Sequence, residues 1–92
     1  MGKHKAYQIN VVGIVQGVGF RFFAKQKADQ IGVSGTVQNL NDGSVEIYAE
    51  GNESALHEFL SWCHNGPPSS TVEKLEYTTA KNQNATQFRI IR

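Results

Sequence analysis

The chain reads as an α+β protein: a two-layer ferredoxin-like sandwich (βαββαβ plus a short C-terminal strand), with two helices on one face of an antiparallel sheet. Three observations predict this. Apolar and polar residues alternate in several short segments, as half-buried strands require. Two other segments carry apolar residues at helical spacing. The turn signals between them order the elements β-α-β-β-α-β before one last strand. With 92 residues there is room for one core, so residues 1–92 are expected to form a single domain. Its site should be a shallow surface feature, because so small a chain cannot wall in a deep cavity.

Each element has its own local reason. From Ala6 to Val12, Tyr7, Ile9 and Val11 share one face while Gln8 and Asn10 take the other, which is a strand pattern. Gly13 to Gly19 holds three glycines in seven residues and reads as a loop. Phe20, Phe23, Ala24, Ala28 and Ile31 then follow helical spacing, and Gly32 fits the stop position. Val33 to Leu40 is a second strand, Asn41-Asp42-Gly43 a hairpin turn, and Ser44 to Glu50 a third strand. Asn52 can cap a second helix whose stripe is Leu56, Phe59, Leu60 and Cys63, ended by Gly66-Pro67-Pro68. A fourth strand is expected around Thr71–Thr78 and a short one at Phe88–Ile91.

Composition removes several classes of function. Nine Lys and Arg against eight Asp and Glu leave a formal charge of +1, which offers no electrostatic footprint for nonspecific nucleic-acid or membrane binding. Apolar runs fall far short of the roughly 20 residues of a membrane span. Met1-Gly2-Lys3-His4-Lys5 runs into a strand pattern with no apolar signal segment. The single cysteine, Cys63, can form neither an internal disulfide nor a cysteine-based metal site, and a reducing cytoplasm is the natural reading. A monomer is the default.

The informative segment is Gly13-Ile14-Val15-Gln16-Gly17-Val18-Gly19-Phe20-Arg21, set between a strand and a helix. Its glycines let successive amides turn inward as an anion-binding nest. The helix adds its unpaired N-terminal amides and positive dipole end. Arg21 supplies a planar, permanently charged fork suited to two phosphate oxygens. A phosphate-sized dianion would fit such a cradle. The segment lacks the Gly-Lys-Ser/Thr ending of a nucleotide-triphosphate loop, and its glycines do not follow the dinucleotide spacing. By composition alone, a glycine-rich turn beside a solvated arginine stays an equally good reading.

Gly13 through Arg21 resembles the G-x-V-Q-G-V-x-F-R signature of acylphosphatases, matching at every specified position. A second family signature resembles Gly35-Thr36-Val37-Gln38-Asn39-Leu40-Asn41-Asp42-Gly43-Ser44-Val45 and its continuation to Gly51, with Asn39, Val45 and the glycines in register. Thr36 stands where the family usually carries an aromatic. The resemblance implies hydrolysis of the carboxyl-phosphate bond of acyl phosphates, without a covalent intermediate, a metal or another cofactor. It implies catalytic roles for Arg21, which would bind the phosphate, and Asn39, which would orient the attacking water. Val15, Gln16, Gly17, Val18, Gly19 and Phe20 would complete the phosphate site through their amides. The expected partners are a small acyl phosphate and its product, inorganic phosphate.

The residues agree with that chemistry. Asn39 ends a strand bearing Val37 on the same face, and its amide can both donate to and accept from a water without changing its charge. Neither Arg21 nor Asn39 titrates near neutrality, so turnover is expected to vary little between roughly pH 5 and 7. The remaining polar residues read more plainly. His57 and His64 share a helical face but lack further metal ligands, and are expected to be solvated. His4 is expected to be disordered. Cys63 and Trp62 belong to the apolar side of their helix, Asp42 to its turn, and Phe22 either borders the site or is simply exposed.

The fold also hosts binding modules. RNA-recognition domains of this order stack bases on third-strand aromatics, whereas Ser44 to Glu50 offers Tyr48 alone, with acidic residues at outward positions. Metal carriers would need a paired-cysteine loop. A phosphate or carbamoyl-phosphate sensor without turnover is the remaining alternative, and Asn39 favours the enzyme.

Overall fold

A computed structural model describes residues 3–92; Met1 and Gly2, part of the N-terminal stretch read for a signal segment, lie outside the described residues. The strand β1 (His4–Ile14) is the pivot of the fold. Its inward residues Tyr7, Ile9 and Val11 are buried, and it pairs antiparallel with β3 (Val45–Asn52) on one side and β4 (Thr71–Thr79) on the other. β2 (Ser34–Asn39) pairs antiparallel with β3, and β5 (Phe88–Ile91) closes the sheet in the order β4-β1-β3-β2-β5. The helices α1 (Phe20–Ile31) and α2 (Glu53–Asn65) pack against β1, β2, β3, β4 and β5 from one layer. The expected ferredoxin-like sandwich is therefore present, with element ends shifted by one or two residues.

The sheet is not wholly antiparallel, as the sequence had suggested. β5 runs parallel to β2, with Gly35 opposite Phe88 and Val37 opposite Ile90. Direction explains this. β4 and β2 run opposite ways, so a strand that leaves β4, crosses the sheet and turns back beside β2 must run with it. The crossing uses residues 80–87 on the face away from the helices. Local periodicity reports none of this, because partner choice is a property of the folded sheet.

Glu50 holds the crossing down. Although it sits at an outward position of β3, it is only 1% exposed. Its Oε1 accepts from the amides of Ala85 at 2.9 Å and Gln83 at 3.2 Å, and from the Tyr48 hydroxyl at 2.8 Å. Its Oε2 lies 2.8 Å from Nε2 of His4, so His4 is an ordered part of β1 rather than a disordered terminus. The Tyr48 oxygen also accepts from the amide of Gln83 and lies 2.9 Å from the carbonyl of Lys81, a second acceptor within reach of its one proton.

Between sheet and helices, Phe59 packs at 5.6 Å from Phe88 and 6.2 Å from Trp62, which in turn meets Phe20 at 5.3 Å. This aromatic chain joins α1, α2 and β5. Asn52 caps α2 as expected, its Oδ1 accepting from the amide of Ala55 at 2.9 Å.

Candidate active site

β1 ends at Ile14, and residues 15–19 turn the chain into α1. Two buried side chains anchor the turn at its ends: Val15 is 1% exposed, and Phe20 is 2% exposed against Trp62. Between them, Gly17 and Gly19 adopt φ of 75° and 79°, left-handed values that cost another residue roughly 1–2 kcal/mol. Gly19 is the N-cap of α1, and no side chain caps the helix there. Capping by Ser, Thr or Asp needs extended backbone at that position, so the left-handed glycine rules it out. The first turn of α1 also holds no acidic residue. Its amides and the partial positive charge of the helix end therefore face outward unneutralised. Among the described residues, no backbone hydrogen bond outside helices and strands uses the amides of Gln16, Gly17, Val18 or Gly19.

A cleft of about 240 Å³ opens on this loop, lined by Val15, Gly17, Gly19, Phe20, Arg21, Phe22, Asn39, Ile90 and Arg92. Residues widely separated in the chain, Arg21 and Asn39, thus meet in one depression. Arg21 Nη1 donates to the carbonyl of Ile91 at 3.3 Å, which steadies the guanidinium against the end of β5. Asn39 ends β2 on the side that carries Val37. Its Oδ1 is buried with no hydrogen-bond partner, a state that costs about 1–3 kcal/mol in a folded protein.

Of the residues expected at the site, Val15, Gly17, Gly19, Phe20, Arg21 and Asn39 line the cleft, while Gln16 and Val18 do not. Val18 packs on the core. The Gln16 side chain turns to the β2–β3 connection, donating to the carbonyls of Leu40 at 2.7 Å and Ser44 at 2.9 Å. Phe22, left open by its sequence position, lines the cleft and is 59% exposed, with its ring set edge-on against Phe23 at 5.3 Å. Ile90 and Arg92 were not foreseen. Nothing in their local sequence could signal them, since they reach the cleft only through the parallel docking of β5 on β2.

Other candidates fall away on geometry. Cys63 is fully buried and its thiol is pushed up by that burial, so it packs rather than reacts. Asp42 accepts from the hydroxyl and the amide of Ser44; these bonds hold its carboxyl below the usual range and tie it to the turn. His57 and His64 are exposed, and no group of three or more metal-ligating side chains occurs among the described residues. Thr36 faces away from the cleft: it lies opposite Tyr48 and Arg89 and borders a groove of about 270 Å³ under the 80–87 crossing. An aromatic at this position would lie on the outer face, away from the cleft. A larger groove of about 720 Å³ lies along the helices, walled by Phe23, Trp62, Pro67 and Pro68, but it gathers neither a guanidinium nor free amides.

Fold and site together define a class: a ferredoxin-like α+β protein that gathers a bare helix end, a guanidinium and an asparagine at one cleft. The acylphosphatase family model matches residues 7–90. An acylphosphatase of Thermotoga petrophila is 54% identical over 68 residues, covering 74% of this chain and 76% of that one. One from Archaeoglobus fulgidus is 46% identical over 85 residues, 92% and 96% of the two chains. The crystal structure of acylphosphatase from Bacillus subtilis superposes with a TM-score of 0.92 at 41% identity, covering 98% of this chain and 100% of that one. The chain belongs to the acylphosphatase family, hydrolases that split the carboxyl-phosphate bond of acyl phosphates into a carboxylate and inorganic phosphate. Among the described residues, no helix is long and apolar enough to cross a membrane.

Proposed function

We propose that residues 1–92 act as a single acylphosphatase-like domain in which Arg21 and the amides of Val15 to Phe20 hold the phosphoryl group and Asn39 holds the water. The observation that carries this is that Arg21 and Asn39, which sit on different elements, line the same cleft beside the glycine loop. A water held by the Asn39 amide keeps a lone pair for phosphorus. As the new P–O bond forms, the P–O bond to the acyl carboxyl breaks, and its electron pair leaves on the carboxylate. The water's remaining proton passes to a phosphate oxygen of the substrate. Carboxylates are good leaving groups, so no protein nucleophile is needed, and the site's work is placement and charge stabilisation. Phe22 and Ile90 supply apolar surface for the acyl side.

The reading requires neither metal nor cofactor. A monomer that bypasses nucleic acid fits the near-neutral charge, and a reducing compartment such as the cytoplasm fits the single buried thiol; gel filtration and cell fractionation test these. The decisive assay is hydrolysis of benzoyl phosphate and of a phosphate monoester with chelator present. Cleavage of the first alone is expected, and Arg21→Gln should lower it at least the roughly 10²–10³-fold of a lost oxyanion donor. Phosphate binding without turnover would instead favour the sensor.

A further inference from the structure

Resting on that reading of the cleft, we propose that Gln16 is a positioning residue: its side-chain amide clamps the cradle loop to the β2–β3 turn and so sets the spacing between the cradle and Asn39.

The cradle and the water-holding amide sit on different elements, and something must fix one against the other. Val15 and Val18 anchor the loop by apolar packing, which is not directional. Gln16 adds direction. Both protons of its one NH₂ group are committed, to Leu40 O at 2.7 Å and to Ser44 O at 2.9 Å. Leu40 follows Asn39 directly in the chain, so the first bond fastens the loop one residue from the water-holding side chain. The second bond reaches the carbonyl that also accepts from the Leu40 amide at 2.9 Å, the bond that closes the hairpin.

The receiving turn is itself braced. The Ser44 hydroxyl donates to Asp42 Oδ1 at 2.6 Å and accepts from Asn10 Nδ2 at 3.1 Å, which ties the turn to β1. The loop is thus clamped to a fixed object. Glutamine suits the task because a carboxylate could not donate to two carbonyls, and an apolar chain would leave both without that partner. Its backbone stays in the cradle loop while its side chain faces away from the cleft.

A misplacement of about 1 Å between reacting groups can lower a rate on the order of 100-fold. The test is Gln16→Met, which keeps chain length and removes both donors. It is measured for kcat and KM with benzoyl phosphate, and for inhibition by inorganic phosphate, which reports the cradle alone. We expect kcat to fall about 10–100-fold while the phosphate inhibition constant stays within about threefold. Where the Met variant does not fold, Gln16→Asn, one methylene too short to span both carbonyls, takes its place. In an Asn39→Ala background the same substitution should have little further effect, since there is then no held water to misalign.

Wild-type kcat in the Gln16 variants overturns the clamp alone. An equal loss with and without Asn39, or weakened phosphate inhibition in proportion to kcat, also overturns it, because the side chain would then be shaping only the cradle. Wild-type kcat in Asn39→Ala itself overturns both this inference and the reading of the cleft.

Discussion

On the proposed reading, Arg21 and Asn39 meet different demands of one reaction, and single substitutions should separate them. Asn39→Ala removes the amide that this reading sets against the water rather than the phosphoryl oxygens. It is expected to cut kcat about 10²-fold or more while inhibition by inorganic phosphate is nearly unchanged. Arg21→Gln should weaken both. Phe22 offers a third separation, because its exposed ring borders the cleft without touching the core. Phe22→Ala should raise KM for benzoyl phosphate by several-fold, in line with about 1 kcal/mol for a lost ring contact, and leave acetyl phosphate almost unaffected. Equal effects on both substrates would assign the ring no part in acyl recognition. The pairing of Arg21 with Asn39 was legible in two sequence motifs, since each lies beside glycines that have a backbone reason to be there. The place of Phe22 was not, because a position at the rim of a helix face points to solvent or to a cleft depending on what lies opposite.

At the level of the element, α1 is a helix whose N-terminus has been left without a protein partner. Gly19 in a left-handed conformation, no capping side chain and no acidic residue in the first turn all act in the same direction. The proposed phosphate would take the place of that cap, and binding it should stabilise the fold. Inorganic phosphate at 100 times its dissociation constant is expected to add about 2.7 kcal/mol, raising Tm by on the order of 10 °C for a domain of this size. The measurement is a thermal melt over a phosphate series with chloride as the control. Gly19→Ala, strained by its positive φ and set 3.3 Å from the Phe23 ring, should lower Tm and flatten the phosphate response. A response that survives in full would move the anion elsewhere.

Across the whole molecule, the crossing at residues 80–87 ties one edge of the sheet to the other and delivers β5 to the cleft, and Glu50 is its fastening. Burial by itself would raise the Glu50 carboxyl, but hydrogen bonds from His4, the Ala85 amide, the Tyr48 hydroxyl and the Gln83 amide outweigh it and hold the group at about 2. Burial, together with the bond to Glu50, pushes the Tyr48 hydroxyl up to about 12. A carboxyl whose folded value is depressed contributes stability that is complete above its unfolded value near 4.5 and is lost as pH falls toward 2. The contribution is about 3 kcal/mol. Glu50→Gln should therefore be less stable than wild type at pH 7, and the difference should shrink between pH 5 and 2 in urea titrations. A gap independent of pH would mean that the carboxylate charge is not what holds the crossing.

The sequence by itself determined the element order, the two-layer class and the identity of the loop, because these rest on local causes: side-chain period, glycine at positions needing positive φ, a cap at Asn52, and motifs short enough to read in line. The tertiary structure alone decided which strand β5 joins, that Glu50 is buried rather than solvated, that His4 is held, and that Gln16 faces the hairpin and not the cleft. Each of these depends on what a residue meets from a distant part of the chain. Alternation along a strand says which face a side chain takes, but only the folded sheet says whether that face is covered.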